Sequence, residues 1–136
     1  MRKKGFTLIE LLVAISILAV ISGIGIISYR TAQQKARDSK RKADLEQVRA
    51  ALEMYRSDTE TYPVGNWSEA IAALSGGTEK YISTTFTDPK NYSYYYNSTD
   101  GYTYSLCAYL ETGGTGDCGA NCGSAPANCN YQVRNP

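Results

Sequence analysis

Residues 11–29 read LLVAISILAVISGIGIISY, a run without a single charged side chain. At about 1.5 Å per helical residue, a helix of this length nearly matches the roughly 30 Å of a bilayer's hydrocarbon core. Arg2, Lys3 and Lys4 precede the run, and basic residues beside an apolar helix tend to stay on the cytoplasmic side. The sequence therefore predicts a membrane-inserted helix with its N-terminus inside.

An ordinary secretory signal peptide is the main alternative for this segment. Its apolar region is usually about 7–15 residues long and ends in an A-x-A-like cleavage site. The run here is longer, and residues 28–32 continue as SYRTA without such a site. We expect the apolar helix to be retained in the mature chain.

Composition argues against an enzyme. The chain has 136 residues, a formal charge of +1 and no histidine, so Ser-His-Asp and HExxH sites cannot be built. It also lacks the G-x-x-x-x-G-K-[ST] pattern of a P-loop.

A local basic cluster at Arg30, Lys35, Arg37, Lys40, Arg41 and Lys42 is broken only by Asp38. We interpret this cluster as a solvated or subunit-pairing face, and nucleic acid is not an expected partner.

Residues 3–12 read KKGFTLIELL, which closely resembles the class III signal peptide of type IV pilins and of type II secretion pseudopilins. The resemblance implies that a prepilin peptidase cuts between Gly5 and Phe6 and N-methylates the Phe6 amine. It also implies that the apolar helix serves as membrane anchor and then as filament core. The family's characteristic glutamate falls on Glu10.

The motif has a physical rationale of its own. Gly5 has no side chain, so an extended scissile bond can lie close to a protease. In a filament of parallel helices, Glu10 could neutralise the Phe6 amine of a neighbouring subunit, because unpaired charges are costly in an apolar core. Leu11 and Leu12 continue the assembly segment. Gly23 and Gly25 interrupt its good helix formers, either as a weak point that unwinds during assembly or as a notch for close packing.

The expected fold class is α+β, type IV pilin-like: a long N-terminal helix packed on a small antiparallel head. We divide the chain into a leader at 1–5, an apolar helix at 6–29, its amphipathic continuation at 30–57 and a head at 58–136. Leu45, Val48, Leu52 and Tyr55 form an apolar stripe at helical spacing. In the head, residues 66–77 predict a short capped helix. Residues 92–96 and 102–110 predict a hairpin with 97–101 as its connection, and 129–133 a third strand.

Four cysteines in a small exported head predict disulfides, with three pairings to choose from. We expect the nested set, Cys107 with Cys129 and Cys118 with Cys122, because strands folding back around the loop would bring the outer pair together. A zinc site built from all four thiolates is the alternative. The resemblance also raises calcium in the C-terminal loop, with Asp88, Asp100 and Asp117 as candidate ligands. Because no spaced acidic loop supplies enough oxygens, we expect turn aspartates there and no cofactor.

The expected function is that of a major pilin, polymerised through its N-terminal helix into a helical surface filament. Its expected partners are copies of itself, a prepilin peptidase, an assembly ATPase with its inner-membrane platform, and membrane lipid before assembly. The precursor would lie in the cytoplasmic membrane and the mature subunit in an extracellular pilus. A pseudopilin of a type II secretion-like system is the first alternative, and a membrane-anchored binding module that never polymerises is the second.

Overall fold

A computed structural model describes residues 5–77, 79–83, 85–126 and 128–135, without the side chains of 25–27. Residues 1–4 of the predicted leader lie outside these ranges. The chain divides into two compact units, Met1–Lys35 and Ala36–Pro136. The second unit contains the head and the part of the first helix that packs with it.

The long N-terminal helix, α1, extends over Leu8–Thr59. It continues without a break through Gly23 and Gly25, and the predicted single helix is confirmed. It ends two residues beyond the expected boundary, where Glu60 adopts a positive φ of 65°. Pro63 follows shortly after and disfavours helical geometry at the residue before it.

In the first unit the apolar side chains of α1 are exposed. This set comprises Leu8, Ile9, Leu11, Leu12, Val13, Ile15, Ile17, Leu18, Val20, Ile21 and Ile24. By length and composition, α1 is the one helix in the described part of the chain that is long and apolar enough to cross a membrane. A contiguous apolar surface of this size is unusual on a soluble monomer and marks a contact with lipid or with other protein.

The head consists of one short helix and a four-stranded antiparallel sheet. Its strands are β1 (Gly65–Asn66), β2 (Tyr95–Ser98), β3 (Ser105–Ala108) and β4 (Tyr131–Arg134), in the spatial order β1-β2-β3-β4. The helix α2 extends over Trp67–Ser75 and begins with a complete capping box. In that box Asn66 accepts from the Glu69 amide, and the Glu69 carboxylate accepts from the Asn66 amide at 2.7 Å. The predicted helix, hairpin and third strand are all present.

The hairpin strands are shorter than the sequence predicts. The connection comprises residues 99–104 and not 97–101, because Asp100 caps a turn by accepting from the amides of Tyr102 and Thr103. Gly101 takes a positive φ of 72° in this turn, which favours glycine. Tyr102 was predicted to begin the second strand, but it belongs to the turn and its side chain is 63% exposed.

The core lies between the second half of α1 and the sheet. Leu45, Val48 and Leu52 from the predicted stripe are buried in one cluster with Tyr96 and Leu106. Tyr96 also donates a 2.7 Å hydrogen bond to the backbone oxygen of Pro63, so its hydroxyl is satisfied inside the core. Burial raises the pKa of this phenol to about 12.

The cysteines pair sequentially, as Cys107–Cys118 and Cys122–Cys129, so the expected nested pairing is wrong. The reason is the register of β3 on β4: the residue opposite Cys107 is Gln132 and not Cys129. All the cysteines are consumed by these two bonds, so the alternative of a zinc tetrathiolate is wrong as well.

Arg41 was expected on an exposed basic face, but its side chain is fully buried. It lies at the centre of what we call the Arg41 network, which consists of Arg37, Asp38, Arg41, Asp88, Lys90 and Glu111. Arg41 pairs with Asp88, with Asp38 at 2.8 Å and with Glu111 at 3.0 Å. The three positive charges balance the three negative ones, which is what makes burial of the guanidinium tolerable.

Hydrogen bonding keeps the carboxylates of the network ionised. Arg37, assisted by Lys90 and Arg41, holds the pKa of Glu111 well below its usual range against the opposing effect of burial. Burial by itself would raise the pKa values of Asp38 and Asp88, but the hydrogen bonds that they accept outweigh it and lower both. Asp38 also accepts from the amides of Glu111 and Thr112 at 2.9 and 2.8 Å. The network therefore ties the start of the cysteine-rich loop to α1.

The disulfide connectivity is directly testable. Partial reduction and alkylation of the full chain, followed by tandem mass spectrometry, should give a species in which Cys107–Cys118 is intact while Cys122 and Cys129 carry the label. Loss of either bond should lower the free energy of unfolding by about 2–4 kcal/mol. An intact bond between Cys118 and Cys122 would contradict the sequential pairing.

Replacing Arg41 should strongly destabilise the head. Arg41→Met leaves buried carboxylates without their partner, so the free energy of unfolding at pH 7 should fall by about 3–5 kcal/mol. Arg49→Met is the matched control, because the ion pair that Arg49 forms with Glu46 at 3.3 Å is exposed. The free energy of unfolding of Arg49→Met should fall by less than about 1 kcal/mol. Urea unfolding of the full chain in detergent, followed by tyrosine circular dichroism, measures both.

The same pair of variants should show a defined pH dependence. The network carboxyls have lowered folded-state pKa values, so their stabilising contribution is complete above the ordinary carboxyl pKa of about 4. It is lost as the pH falls through the lowered values. The difference between the wild type and Arg41→Met should therefore shrink below about pH 4. A difference that stays constant from pH 7 to pH 3 would show that the ion pairs are not its source.

Candidate functional site

The residues predicted for processing and assembly lie at the start of the first unit. Gly5 and Phe6 precede α1, and the Phe6 side chain is 91% exposed. A Cβ atom added to Gly5 would meet nothing within 4 Å. The fold of the chain therefore imposes no steric need for glycine at this position.

Glu10 forms a capping box with Thr7 at the N-terminus of α1. The Glu10 Oε2 atom accepts from the Thr7 amide at 2.8 Å and from the Thr7 hydroxyl at 2.7 Å. In return, the Thr7 Oγ1 atom accepts from the Glu10 amide at 3.3 Å. Within the subunit the carboxylate is thus bound to its own helix terminus, while both contacts end on only one of its oxygens.

Thr7 belongs to this candidate site through its contacts with Glu10, and it was not among the residues predicted from the sequence. The signal was present, because T-x-x-E at residues 7–10 is the standard capping-box pattern. The same kind of pattern predicts the capped helix that begins at Asn66 in the head. The nearest donors to Glu10 are therefore the amide and hydroxyl of Thr7 in its own subunit.

The remaining predicted assembly residues lie on the surface of α1. Leu11 and Leu12 are exposed, and a Cβ atom at Gly23 would meet nothing within 4 Å. The Ser16 hydroxyl donates back to the Val13 carbonyl at 2.8 Å, so this polar group is satisfied within the helix. Such a surface can bind lipid tails or other apolar helices.

The three aspartates considered as calcium ligands do not converge. Asp88 pairs with Arg41, Asp100 caps the hairpin turn, and Asp117 accepts from the Gly119 amide at 2.8 Å. Within the described ranges, no group of three or more His, Cys, Asp or Glu residues could hold a metal ion. The residues at these positions therefore do not fit a calcium site, which needs at least six oxygens.

Family models cover most of the chain. Residues 1–26 match the prokaryotic N-terminal methylation motif, and residues 28–123 match the type II secretion system protein G family. The first match contains the Gly5-Phe6 junction and the capping box of Glu10. The second contains most of the described head, including the Arg41 network.

Similar proteins carry names from type II secretion systems and from a type IV pilus. The chain is 31% identical to the type II secretion system core protein G of Pectobacterium carotovorum over 77% of this chain and 60% of that protein. It is 32% identical to the corresponding protein of Dickeya chrysanthemi, over 77% of this chain and 61% of that protein. It is also 31% identical to the type IV wide pilus major component PilA4 of Thermus thermophilus, over 82% of this chain and 76% of that protein.

The aligned part spans about three fifths of the first two relatives' length. No solved structure shows significant similarity to the chain. The family is nevertheless established by the protein G match over residues 28–123 and by the PilA4 alignment. This chain therefore belongs to the family of type IV pilins and type II secretion pseudopilins.

Proposed function

We propose that this chain is a structural subunit of a helical filament, made as a membrane-anchored precursor and cleaved between Gly5 and Phe6 by a prepilin peptidase. The observation that carries the proposal is the exposed apolar surface of α1, which begins directly after a prepilin methylation motif. Before assembly lipid covers this surface, and in the filament other copies of the same helix cover it. An assembly ATPase and an inner-membrane platform would drive the transfer.

The transfer from lipid to filament needs a specific polar contact. Lipid tails are as apolar as the side chains of α1, so hydrophobicity alone gives little reason to leave the membrane. Glu10 supplies the contact, since its carboxylate can exchange one Thr7 hydrogen bond for the Phe6 amine of a neighbouring subunit. Only one stagger of parallel helices brings these groups together, and the pair therefore selects the register as well as the partner.

Among filament types, we assign the chain to the surface type IV pilus as its major pilin, exposed on the cell surface. The observation that favours this is the PilA4 alignment, which covers more of both chains than the protein G alignments do. A protein G-like pseudopilin is the second candidate, favoured by the family match over residues 28–123. A binding module that never polymerises would leave the capping box and the cleavage junction without a use.

The first experiment is to shear cells that express the chain, image the released material and sequence its N-terminus by mass spectrometry. We expect filaments whose subunits begin with N-methylated Phe6. Subunits that begin with Phe6 but release no filaments would favour the pseudopilin assignment over the major pilin. An intact Met1 start in a host with an active prepilin peptidase would contradict the whole proposal.

Replacing Glu10 should separate membrane insertion from assembly. Glu10→Leu should insert and be cleaved normally, but its incorporation into filaments should fall at least about tenfold, which corresponds to the loss of one charged contact. Glu46→Leu removes a carboxylate from an exposed face of the same helix and should leave incorporation unchanged. Membrane fractionation and quantitative blotting of sheared filaments measure both steps. Normal filaments assembled from Glu10→Leu subunits alone would contradict the pairing of Glu10 with the neighbouring Phe6 amine.

Thr7→Val tests the exchange itself. It removes the hydroxyl that caps α1, at a cost of about 1 kcal/mol to the helix terminus, and leaves the Glu10 carboxylate in place. If Glu10 acts through the neighbouring amine, this variant should still be incorporated into filaments. A defect as large as that of Glu10→Leu would show that the local cap, and not the pairing between subunits, is what assembly requires.

A further inference from the structure

The basic cluster of α1 is divided by its contacts with the head. The members that the head engages are Arg37, Lys40, Arg41 and Lys42. The two arginines belong to the Arg41 network, a backbone oxygen accepts from one lysine at 3.1 Å, and the other lysine lies over a tyrosine ring. The remaining two members, Arg30 and Lys35, are exposed, and across the described ranges neither forms an ion pair. We call them the juxtamembrane pair.

The chain has no spare carboxylate for the juxtamembrane pair along α1. The sequence contains no acidic residue between Glu10 and Asp38. Only Asp38 is within helical reach of Lys35, and its oxygens already accept from Arg41 and from two backbone amides of the head. The positive charge of the pair therefore calls for an anion from outside the subunit.

The place of the pair on α1 indicates where that anion lies. The uncharged run ends at Tyr29, whose side chain is 65% exposed, and tyrosine is enriched where a membrane helix meets the headgroups. Arg30 follows directly, and Lys35 lies about 9 Å beyond Tyr29 along the helix. The polar layer of one leaflet is about 5–8 Å thick, and long basic side chains bend towards it. Both cations therefore reach the headgroup layer.

We propose that the juxtamembrane pair binds the headgroups of anionic phospholipids in the outer leaflet while the subunit is still in the membrane. The Arg30 guanidinium makes a two-point contact with a lipid phosphate, and the Lys35 ammonium adds a second positive charge at the same surface. Lipids with a net negative charge attract such a segment, and zwitterionic lipids do not. The proposal rests on the proposed function, because it requires α1 to span a membrane with its N-terminus inside.

Lipid binding at this end of the apolar helix sets the depth of Glu10. Arg30 is 20 residues from Glu10, which is about 30 Å along the helix and equals the thickness of the hydrocarbon core. With Arg30 at the outer headgroups, Glu10 lies at the inner boundary of the core, where a charged side chain costs least. Every subunit then presents Glu10 at the same depth, as pairing with the Phe6 amine of a neighbour requires.

The test measures which lipids remain bound to the processed chain, residues 6–136. This form lacks Arg2, Lys3 and Lys4, whose charges would bind the same lipids at the other end of the helix. The chain is incorporated into vesicles of equal parts phosphatidylglycerol and phosphatidylcholine, released in mild detergent and analysed by native mass spectrometry. We expect at least about fivefold more bound phosphatidylglycerol than phosphatidylcholine, the effect of one basic residue near a membrane surface. Equal retention of the two lipids would overturn the proposal.

Matched double variants localise the binding. Arg30→Gln combined with Lys35→Gln should lower the retained phosphatidylglycerol at least about fivefold. Lys80→Gln combined with Arg134→Gln removes the same two kinds of charge from exposed positions of the head, and should change retention by less than about twofold. Both double variants should keep the disulfides and the wild-type melting temperature of the head, which serves as the folding check. Equal retention by the two double variants would refute the proposal.

A further readout separates lipid from a protein partner. If the Arg30→Gln and Lys35→Gln double variant retains phosphatidylglycerol as the wild type does but is incorporated poorly into filaments, the pair binds a neighbouring subunit and the lipid proposal is wrong. Neither result decides the proposed function, because cleavage before Phe6 and filament formation are read independently from the sheared material.

Discussion

The apolar half of α1 is the constraint on which the rest of the molecule depends. Its large apolar side chains are exposed, and under the proposed function lipid or other copies of the helix cover them. Everything the chain folds for itself must then be built on the second half of the same helix. That half has one narrow apolar stripe, formed by Leu45, Val48 and Leu52, and the sheet packs on this stripe.

Buried ion pairs supplement the contacts that this narrow apolar stripe makes with the sheet. The Arg41 guanidinium is buried against three carboxylates, two of which belong to segments far along the chain, at Asp88 and Glu111. Ion pairs of this kind add little net stability compared with apolar packing, but they penalise every arrangement in which a partner is missing. Asp38 extends the effect by capping the amides of Glu111 and Thr112. Apolar packing thus holds the sheet against the helix, and the Arg41 network fixes the position of the sheet along α1.

Local patterns could be predicted from the sequence, and long-range pairings could not. The capping box of α2, the stripe of α1 and the strands depend on neighbours a few residues apart, so periodicity and cap residues reveal them. The disulfide pairing follows from the register of β3 on β4, which no local pattern encodes. Helical spacing predicts an ion pair between Glu53 and Arg56, but the Tyr62 hydroxyl accepts from Arg56 and donates to Glu53. Helical spacing alone cannot predict that a side chain from outside the helix lies between the two residues.

The candidate assembly site shows the same division. Its motif is local and can be identified from the sequence, while the proposed role of Glu10 combines a contact within the subunit and a contact between subunits. Within one subunit the carboxylate is satisfied by Thr7, three residues away, which lowers the penalty of placing a charge beside an apolar helix. Such a cap contributes only about 1 kcal/mol, so a charged partner in a water-free core would outweigh it. Under the proposed function, the weakness of the local contact is what lets one residue be tolerated in lipid and then decisive in the filament.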